Sequence, residues 1–253
     1  MNIKIDDINI SYIKEGSSNE KLLLLHGWGS NKEVFNNMIN YLKDDIEVYA
    51  IDLPGFGKTN EPSSAFSIDD YTDIVIKFIN EMKLDNLSIL GHSFGGRIMI
   101  KLANRKKLDF KINKYILVDA AGIKHTNLKN RKKVKRNKRL FKIANFFSKR
   151  LVNYLKTKIG SEDYKNATPM MRDILVKSIS EDLKPLIENI NYPTLLVWGE
   201  KDTATPYEDA LYMKSVIKDS GIVLVPNGGH YSFLDNPSLV NKVIYKFLKG
   251  DKK

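Results

Sequence analysis

The sequence predicts an α/β protein with a doubly wound, mostly parallel sheet and one helical insertion. Short apolar runs that end at glycine recur along the chain, and segments of helical periodicity separate most of them. Strands that alternate with helices form crossover units, which place helices on both faces of a parallel sheet. The alternation fails between residues 122 and 192, where basic and amphipathic stretches replace the strand pattern. We therefore expect residues 1–121 and 193–253 to form the core and residues 122–192 to form a helical lid.

The individual elements follow from local patterns. Residues 3–5 and 8–12 alternate apolar and polar side chains, which predicts a hairpin. Ser67 and Asp70 have the spacing of a capping box, which predicts the start of a helix. Further helices are predicted over residues 31–42, from Phe94 onward and over residues 237–249. Buried strands are predicted over residues 21–27 and 46–55, and further strands over residues 86–93, 114–122, 194–200 and 221–227.

The composition indicates a globular protein without disulfides or a Cys-based metal site. The chain has 253 residues, 42% of them hydrophobic, and no cysteine, so thiolate catalysis is excluded as well. The first residues include Asp6, Asp7 and Glu15 and no apolar run, which argues against a secretory signal. The longest aliphatic run, Leu22 to Leu25, is far shorter than a membrane span. We expect a cytoplasmic protein that uses no metal and no cofactor.

The strongest motif is Gly91-His92-Ser93-Phe94-Gly95, which lies between a predicted strand and a predicted helix. A G-x-S-x-G in this setting places its serine on a tight turn, exposed at the carboxyl end of the sheet. The glycines are needed because the backbone there is strained and neighbouring elements pack closely. Ser93 is therefore the predicted nucleophile, and the helix that follows favours negative charge beside it.

A serine hydroxyl needs a neighbouring base, and the sequence offers four histidines. His230 lies in a glycine-rich loop directly after a predicted strand, at the same end of the sheet as the serine, and is the predicted base. His92 is expected to be a structural neighbour of the nucleophile with its side chain pointing away. His26 belongs to a separate loop, and His125 is expected to be solvated in the basic insertion.

The base needs a carboxylate that fixes its tautomer and stabilises the imidazolium. Asp202 follows the predicted strand over residues 194–200 and gives the chain order Ser, Asp, His, which is expected of a serine elbow on such a sheet. Glu200 in the same loop and Asp119 at the end of the preceding strand are rivals. Asp202 is the predicted third member of the triad.

The negative charge that develops on an attacked carbonyl oxygen requires N–H donors. One predicted donor is the backbone amide of Phe94, directly after the nucleophile. The other is the backbone amide of Trp28, because the glycines on either side of it let the loop approach closely. The Trp28 indole is expected either to line the acyl pocket or to belong to the core.

Together these motifs resemble the α/β-hydrolase superfamily. The residues that carry the resemblance are His26 to Gly29, Asp52 to Gly57, Gly91 to Gly96, Gly199 to Asp202 and Gly228 to His230. The resemblance covers the chain except for the insertion, which occupies the usual place of the lid. Within the superfamily the sequence is similar to lidded esterases, carbon–carbon-bond hydrolases and pimeloyl-carrier-protein methyl esterase-like proteins.

The resemblance implies that Ser93, Asp202 and His230 are nucleophile, acid and base. Dehalogenases and epoxide hydrolases of this fold use an aspartate nucleophile, so Ser93 argues against both.

These residues predict hydrolysis of a carboxylic ester or a related acyl bond through an acyl-Ser93 intermediate. Acyl transfer and carbon–carbon cleavage on the same triad are alternatives. A third interpretation, from a different class, is a binding protein that uses a hydrolase fold and acts through its basic insertion. Such proteins usually lose a catalytic residue, whereas this sequence keeps all of them. The fold does not identify the substrate.

The positive charge of the chain is concentrated in the insertion. The net charge is +11, and residues 120–161 contain 14 Lys or Arg and no Asp or Glu. Arg131 to Arg139 holds seven basic residues in nine, and apolar residues at helical spacing follow from Leu140 to Leu155. One interpretation is a lid helix with solvated lysines. The other is recruitment of an acidic partner, either an anionic membrane surface or an acyl carrier protein. Nucleic acid is not expected, because the charges border an active site and no nucleic-acid-binding fold is indicated.

Overall fold

The computed structural model describes residues 1–125, 139–140 and 161–250. The chain forms two compact units, one of residues 1–123 with 182–253 and one of residues 124–181. Residues 131–138 of the basic run lie outside the described residues, and so does most of the apolar stripe that follows it. The lid predicted over residues 122–192 therefore stays a prediction.

The first unit is built on strands β1 (Asn2–Ile5), β2 (Ile8–Glu15), β3 (Lys21–Leu25), β4 (Glu47–Ile51), β5 (Leu87–His92), β6 (Ile112–Val118), β7 (Thr194–Gly199) and β8 (Ser220–Val225). They form one sheet in the order β1-β2-β4-β3-β5-β6-β7-β8. β1 pairs antiparallel with β2, and β2 pairs antiparallel with β4. All other neighbours are parallel. The predicted hairpin and the mostly parallel sheet are confirmed.

The described α-helices are α1 (Asn36–Leu42), α2 (Ile68–Glu81), α3 (Phe94–Ala103), α4 (Glu162–Asn166), α5 (Pro169–Ser180), α6 (Tyr207–Val216), α7 (Ser232–Asp235) and α8 (Pro237–Lys249). Short 3₁₀ helices span Lys32–Phe35 and Lys184–Asn189. The predicted capping box at α2 is confirmed, because the Ser67 hydroxyl accepts the N–H of Asp70 and the Asp70 carboxylate accepts the N–H of Ser67. None of the described helices has the length and apolarity to cross a bilayer.

The centre of the sheet is buried on both faces. In β3, Leu22 to Leu25 have no exposed surface, which is why this strand reads as a continuous apolar run instead of an alternating one. Leu22 and Leu24 belong to a cluster that also contains Val240 and Ile244 of α8. Burial of each such side chain contributes about 1.5–3 kcal/mol to folding. The core thus fixes the sheet on which the site is built.

The carboxyl ends of the parallel strands meet at one edge of the sheet. Leu25 at the end of β3 is paired with Gly91 of β5, and Val118 at the end of β6 is paired with Val197 of β7. The loops that leave β3, β5, β6, β7 and β8 therefore start close together. Every predicted site residue lies in or directly after one of these loops.

The second unit contains α4 and α5. Thr168 caps α5 by accepting the N–H of Met171, and proline occupies the first helical position, where its missing N–H costs nothing. Met171, Ile174 and Leu175 are buried, so α5 has one apolar face that is shielded from solvent.

Candidate active site

Ser93 lies on a strained turn between β5 and α3. Its φ of 48° and ψ of −107° fall in a region that residues other than glycine rarely occupy. The neighbouring glycines allow the turn to form. A Cβ on Gly91 would lie 2.6 Å from the carbonyl carbon of Gly95, and a Cβ on Gly95 would collide with the carbonyl oxygen of Leu25. The half-buried serine therefore sits on the strand–turn–helix corner that the sequence predicted.

The imidazole of His230 lies between a hydroxyl and a carboxylate. Its Nε2 is 2.9 Å from Oγ of Ser93, and its Nδ1 is 2.8 Å from Oδ2 of Asp202. An ionised carboxylate can only accept, so Nδ1 carries the proton and Nε2 accepts from the serine hydroxyl. The structure thus joins the three predicted residues, from loops after β5, β7 and β8, in one hydrogen-bonded chain.

Asp202 is held ionised and in one orientation. Its Oδ1 accepts the backbone N–H groups of Ala204 and Thr205 at 2.8 and 3.0 Å, and its Oδ2 accepts the Thr205 hydroxyl at 2.6 Å. Burial acts to raise the pKa of this carboxyl, but the hydrogen bonds from His230 and Thr205 outweigh burial and lower the pKa below its usual value. Thr205 did not emerge from the sequence analysis, where its only signal is its place three residues after Asp202.

The two rival acids do not reach the imidazole. Asp119 is fully buried, and its carboxylate accepts two backbone N–H groups. Glu200 is exposed and accepts the N–H of Asn227 at 2.8 Å. Within the part of the chain that the structure describes, the carboxylate bonded to the imidazole is that of Asp202.

The predicted oxyanion donors lie on two segments beside the serine. Phe94 is the first residue of α3, and the first N–H groups of a helix have no partner inside the helix. The loop that carries Trp28 passes close to Ser93, since a Cβ on Gly27 would lie 3.2 Å from Cβ of that serine. The Trp28 indole stands edge-on to the Phe94 ring, with centroids 5.4 Å apart. Both segments therefore lie beside Ser93, and the role of their amides as oxyanion donors stays a prediction.

His26 fixes the loop that carries Trp28. Its Nε2 accepts the N–H of Leu53 at 3.0 Å, and its Nδ1 donates to the carbonyl oxygen of Gly27 at 2.7 Å. Burial lowers the pKa of His26 to about 4, so the ring is neutral and can accept and donate at once. The His26 ring thereby links the loop after β3 to the loop after β4 through hydrogen bonds.

A buried ion pair supports the same loop. Nζ of Lys32 is 2.6 Å from Oδ2 of Asp52, and both side chains are almost completely shielded from solvent. The backbone N–H groups of Lys32 and Lys58 also donate to this carboxylate at 2.8 Å. A Cβ on Gly57, whose φ is 55°, would collide with the carboxylate. The sequence analysis identified this stretch only as a family motif, because nothing in the pattern distinguishes a buried lysine from a solvated one.

His92 contacts the loop that carries His230. Its ring is fully buried, and its Nε2 donates to the carbonyl oxygen of His230 at 2.7 Å. The ring also packs against Tyr231 and Phe233, with centroids 4.6 and 5.1 Å away. Burial, together with the nearby His230, lowers the pKa of His92 to about 3. The sequence analysis expected a structural neighbour of the nucleophile but missed this hydrogen bond.

Comparison with known proteins agrees with the fold and with the motifs. Residues 22–243 match the model of the Alpha/beta hydrolase family. The chain belongs to the alpha/beta hydrolase family. The resemblance inferred from the motifs is confirmed.

Relatives of this alpha/beta hydrolase match it over nearly its whole length. It is 26% identical to AB hydrolase superfamily protein YisY of Bacillus subtilis (strain 168), over 97% of both chains. It is 27% identical to the pimeloyl-(acyl-carrier protein) methyl ester esterase of Wigglesworthia glossinidia brevipalpis, over 92% of this chain and 95% of the relative. The crystal structure of a bacterial membrane phospholipase A superposes with a TM-score of 0.79 at 24% identity, over 99% of this chain and 85% of that one, which shows a common fold.

Proposed function

We propose that this alpha/beta hydrolase cleaves a carboxylic ester or a related acyl bond through an acyl-Ser93 intermediate. The observation that carries the proposal is the hydrogen-bonded chain from Ser93 through His230 to Asp202, with separations of 2.9 and 2.8 Å. Such a chain removes the proton that makes a serine hydroxyl a poor nucleophile. The methyl ester esterase relative acts on an ester, which supports the same reaction class.

In the first half of the reaction, acylation, each residue of the site has its own role. Nε2 of His230 takes the proton from Ser93 while Oγ bonds to the carbonyl carbon of the substrate, and the carbonyl oxygen becomes an oxyanion. The backbone amides of Trp28 and Phe94 donate to that oxyanion. The ionised carboxylate of Asp202 stabilises the imidazolium that has formed.

The remaining steps return the enzyme to its starting state. The tetrahedral intermediate collapses, the bond to the leaving alkoxide breaks, and the imidazolium gives its proton to that alkoxide. Water then attacks the acyl-serine, with His230 accepting a proton from the water. Collapse of this second intermediate breaks the bond between the acyl carbon and Oγ, the imidazolium of His230 returns its proton to Oγ, and the carboxylic acid leaves with the Ser93 hydroxyl restored.

Pre-steady-state kinetics tests the proposal. We expect p-nitrophenyl esters of increasing acyl length to give a burst of p-nitrophenol equal to the enzyme concentration for those acyl groups whose deacylation is slow. The Ser93→Ala variant should give no burst with any of them. Hydrolysis at an unchanged rate in Ser93→Ala would refute the acyl-Ser93 intermediate.

For the natural substrate we propose an acyl group carried by an acidic acyl carrier protein. Two observations support this partner. The relative from Wigglesworthia glossinidia brevipalpis acts on an acyl-carrier-protein ester. The segment of residues 120–161 holds 14 basic and no acidic side chains, which suits an acidic surface. The segment is used here only for its charge, because its structure lies mostly outside the described residues.

Charge neutralisation tests the partner separately from the chemistry. Replacing Lys132, Lys133, Lys135 and Arg136 by Gln should leave hydrolysis of a small neutral ester nearly unchanged. Binding to an acyl carrier protein should weaken, and most at low salt, because the Debye length is about 8 Å at physiological ionic strength. Salt-dependent binding to anionic phospholipid vesicles in place of the carrier protein would assign the charges to a membrane surface. Binding of the wild type to neither would leave the segment as a solvated face and refute recruitment.

A further inference from the structure

Asp119 is a buried acid that the proposed mechanism does not use. It follows β6 directly at the edge of the sheet that carries the triad, and it has no exposed surface. Its φ of 46° lies in the left-handed region, which aspartate adopts more readily than most residues but which is still uncommon. A buried carboxylate in an unusual backbone conformation requires an explanation, because both features are unfavourable unless neighbouring groups compensate for them.

The two oxygens of Asp119 bind the two loops that carry the acid and the base. Oδ1 accepts the N–H of Gly199 at 2.8 Å, and Oδ2 accepts the N–H of Ser232 at 2.9 Å. Gly199 ends β7, three residues before Asp202. Ser232 begins α7, two residues after His230.

A second contact links Asp119 to the acid. The Thr205 hydroxyl, which donates to Oδ2 of Asp202 at 2.6 Å, has its oxygen 3.1 Å from the carbonyl oxygen of Asp119. The two loops also touch each other, since a Cβ on Gly199 would collide with the carbonyl oxygen of Gly229. A shift of either loop therefore changes the distance between Asp202 and His230.

We infer that Asp119 is a positioning residue that holds the loop of Asp202 and the loop of His230 in register, so that the acid and the base of the triad stay within hydrogen-bonding distance. The inference rests on the proposed function. A carboxylate suits this role because both of its oxygens accept. An amide has one accepting oxygen, and its NH₂ group would face a backbone N–H and leave it without a partner.

If Asp119 positions the two loops, its ionisation should make kcat depend on pH. Burial raises the pKa of this carboxyl to about 7. The hydroxyl of Ser232 and the amides of Gly199 and Ser232 oppose burial, and the negative charge of Asp202 raises the pKa further. On the loop of the base, His230 contacts this network, with Nδ1 2.8 Å from Oδ2 of Asp202 and 3.3 Å from the Thr205 hydroxyl oxygen. Protonation of Asp119 turns one accepting oxygen into a donor that faces an N–H. The hydrogen bonds that hold the loops of Asp202 and His230 together should therefore weaken as pH falls through about 7.

The experiment compares Asp119→Asn with Glu200→Gln. Gln keeps the oxygen that Glu200 offers to a single exposed N–H, so it is the matched acid-to-amide control on the acid loop. We expect Asp119→Asn to lower kcat per active site, counted by phosphonate titration, on the order of 10²-fold, because small misplacements of catalytic groups cost that much. KM should hardly change, since Asp119 does not touch the substrate. The acid limb of its profile of kcat against pH should lose the contribution of Asp119 and become less steep, and Glu200→Gln should keep the steepness of the wild type.

The outcomes separate this inference from the proposed function. A wild type that neither labels nor hydrolyses esters refutes the function. An active wild type with an unchanged kcat per titrated site in Asp119→Asn, whatever its stability, overturns the positioning role. If Asp119→Asn does not fold, Ser232→Pro decides, because it removes one donor at the first position of α7, where proline is tolerated. If Ser232→Pro has a lower kcat than Ser232→Ala, which keeps the amide, the positioning role is supported. An equal kcat in the two variants overturns it.

Discussion

Nε2 of His92 donates a hydrogen bond to the carbonyl oxygen of His230, so the residue before Ser93 holds the backbone of His230. Nδ1 of the same ring has no hydrogen-bond partner among the described residues, and it would meet a Cβ placed on Gly27. The ring is therefore a neutral imidazole with its proton on Nε2. Its low pKa, about 3, ties the stability of the fold to pH.

The free energy of unfolding of the wild type should rise with pH between about 5 and 6. In that window the unfolded chain protonates His26 and His92, whose usual pKa is 6.5, whereas the folded chain keeps both neutral. Asp119 acts in the opposite direction, because its usual pKa of 3.8 rises to about 7 on folding and the folded state holds its proton. In this window these three groups bind about two protons in the unfolded chain and about one in the folded chain. The difference of one proton gives the free energy of unfolding a slope of about 1.4 kcal/mol per pH unit.

The His92→Gln variant isolates one of these protons. Gln keeps an N–H donor for the carbonyl oxygen of His230 but does not titrate. We expect its slope between pH 5 and 6, measured by urea unfolding at several pH values, to fall close to zero. A slope equal to that of the wild type would show that His92 titrates alike in the folded and unfolded chains.

The Asp202→Asn variant tests the acid. The change should cost on the order of 10⁴ in kcat, because an amide no longer selects the imidazole tautomer with its proton on Nδ1. Glu200→Gln should stay near the wild type, since Glu200 binds only the exposed N–H of Asn227. A larger loss of kcat in Glu200→Gln than in Asp202→Asn would instead identify Glu200 as the acid.

The Gly95→Ala variant tests the elbow. A Cβ at this position would meet the carbonyl oxygen of Leu25, which is backbone and cannot swing away. We expect a loss of about 1–3 kcal/mol or more in the free energy of unfolding, together with slower labelling of Ser93. Gly221→Ala is the control, because its Cβ would have no neighbour within 4 Å. Equal stability of the two variants would contradict the close packing of β3 against α3.

The buried pair of Lys32 and Asp52 should matter far more than an exposed pair of the same kind. Lys32→Met leaves the carboxylate of Asp52 buried without its cation, and such losses cost about 3–5 kcal/mol. Lys77→Met breaks the pair with Asp6, in which about half of each side chain is exposed, and should cost about 0–1 kcal/mol. Urea unfolding of both variants at pH 7 measures the difference. Similar losses would mean that Asp52 is hydrated after the change.

The residues of the triad could be placed from the sequence because parallel strands bring their carboxyl ends to one edge. Ser93, Asp202 and His230 each follow an apolar run, and the order of the runs was sufficient to predict that these residues lie together. The capping box at Ser67 was equally local, since its two partners are three residues apart.

The supporting contacts could not be predicted, because they depend on which strands are neighbours and in what register. Asp119 reaches Gly199 only because β6 lies beside β7, and it reaches Ser232 because β8 follows β7 in the sheet. Lys32 is one of many lysines in the sequence, and only the fold shows that its ammonium group is buried against Asp52.

The most direct test of the proposed chemistry is the site of covalent labelling. The wild type is treated with a fluorophosphonate, digested and analysed by mass spectrometry, in parallel with Ser93→Ala. We expect one adduct per chain, on the peptide that contains Ser93, and no adduct on the variant, whose circular dichroism should match that of the wild type. An adduct on another residue, or undiminished labelling of a folded Ser93→Ala protein, would contradict the assignment of Ser93 as the nucleophile.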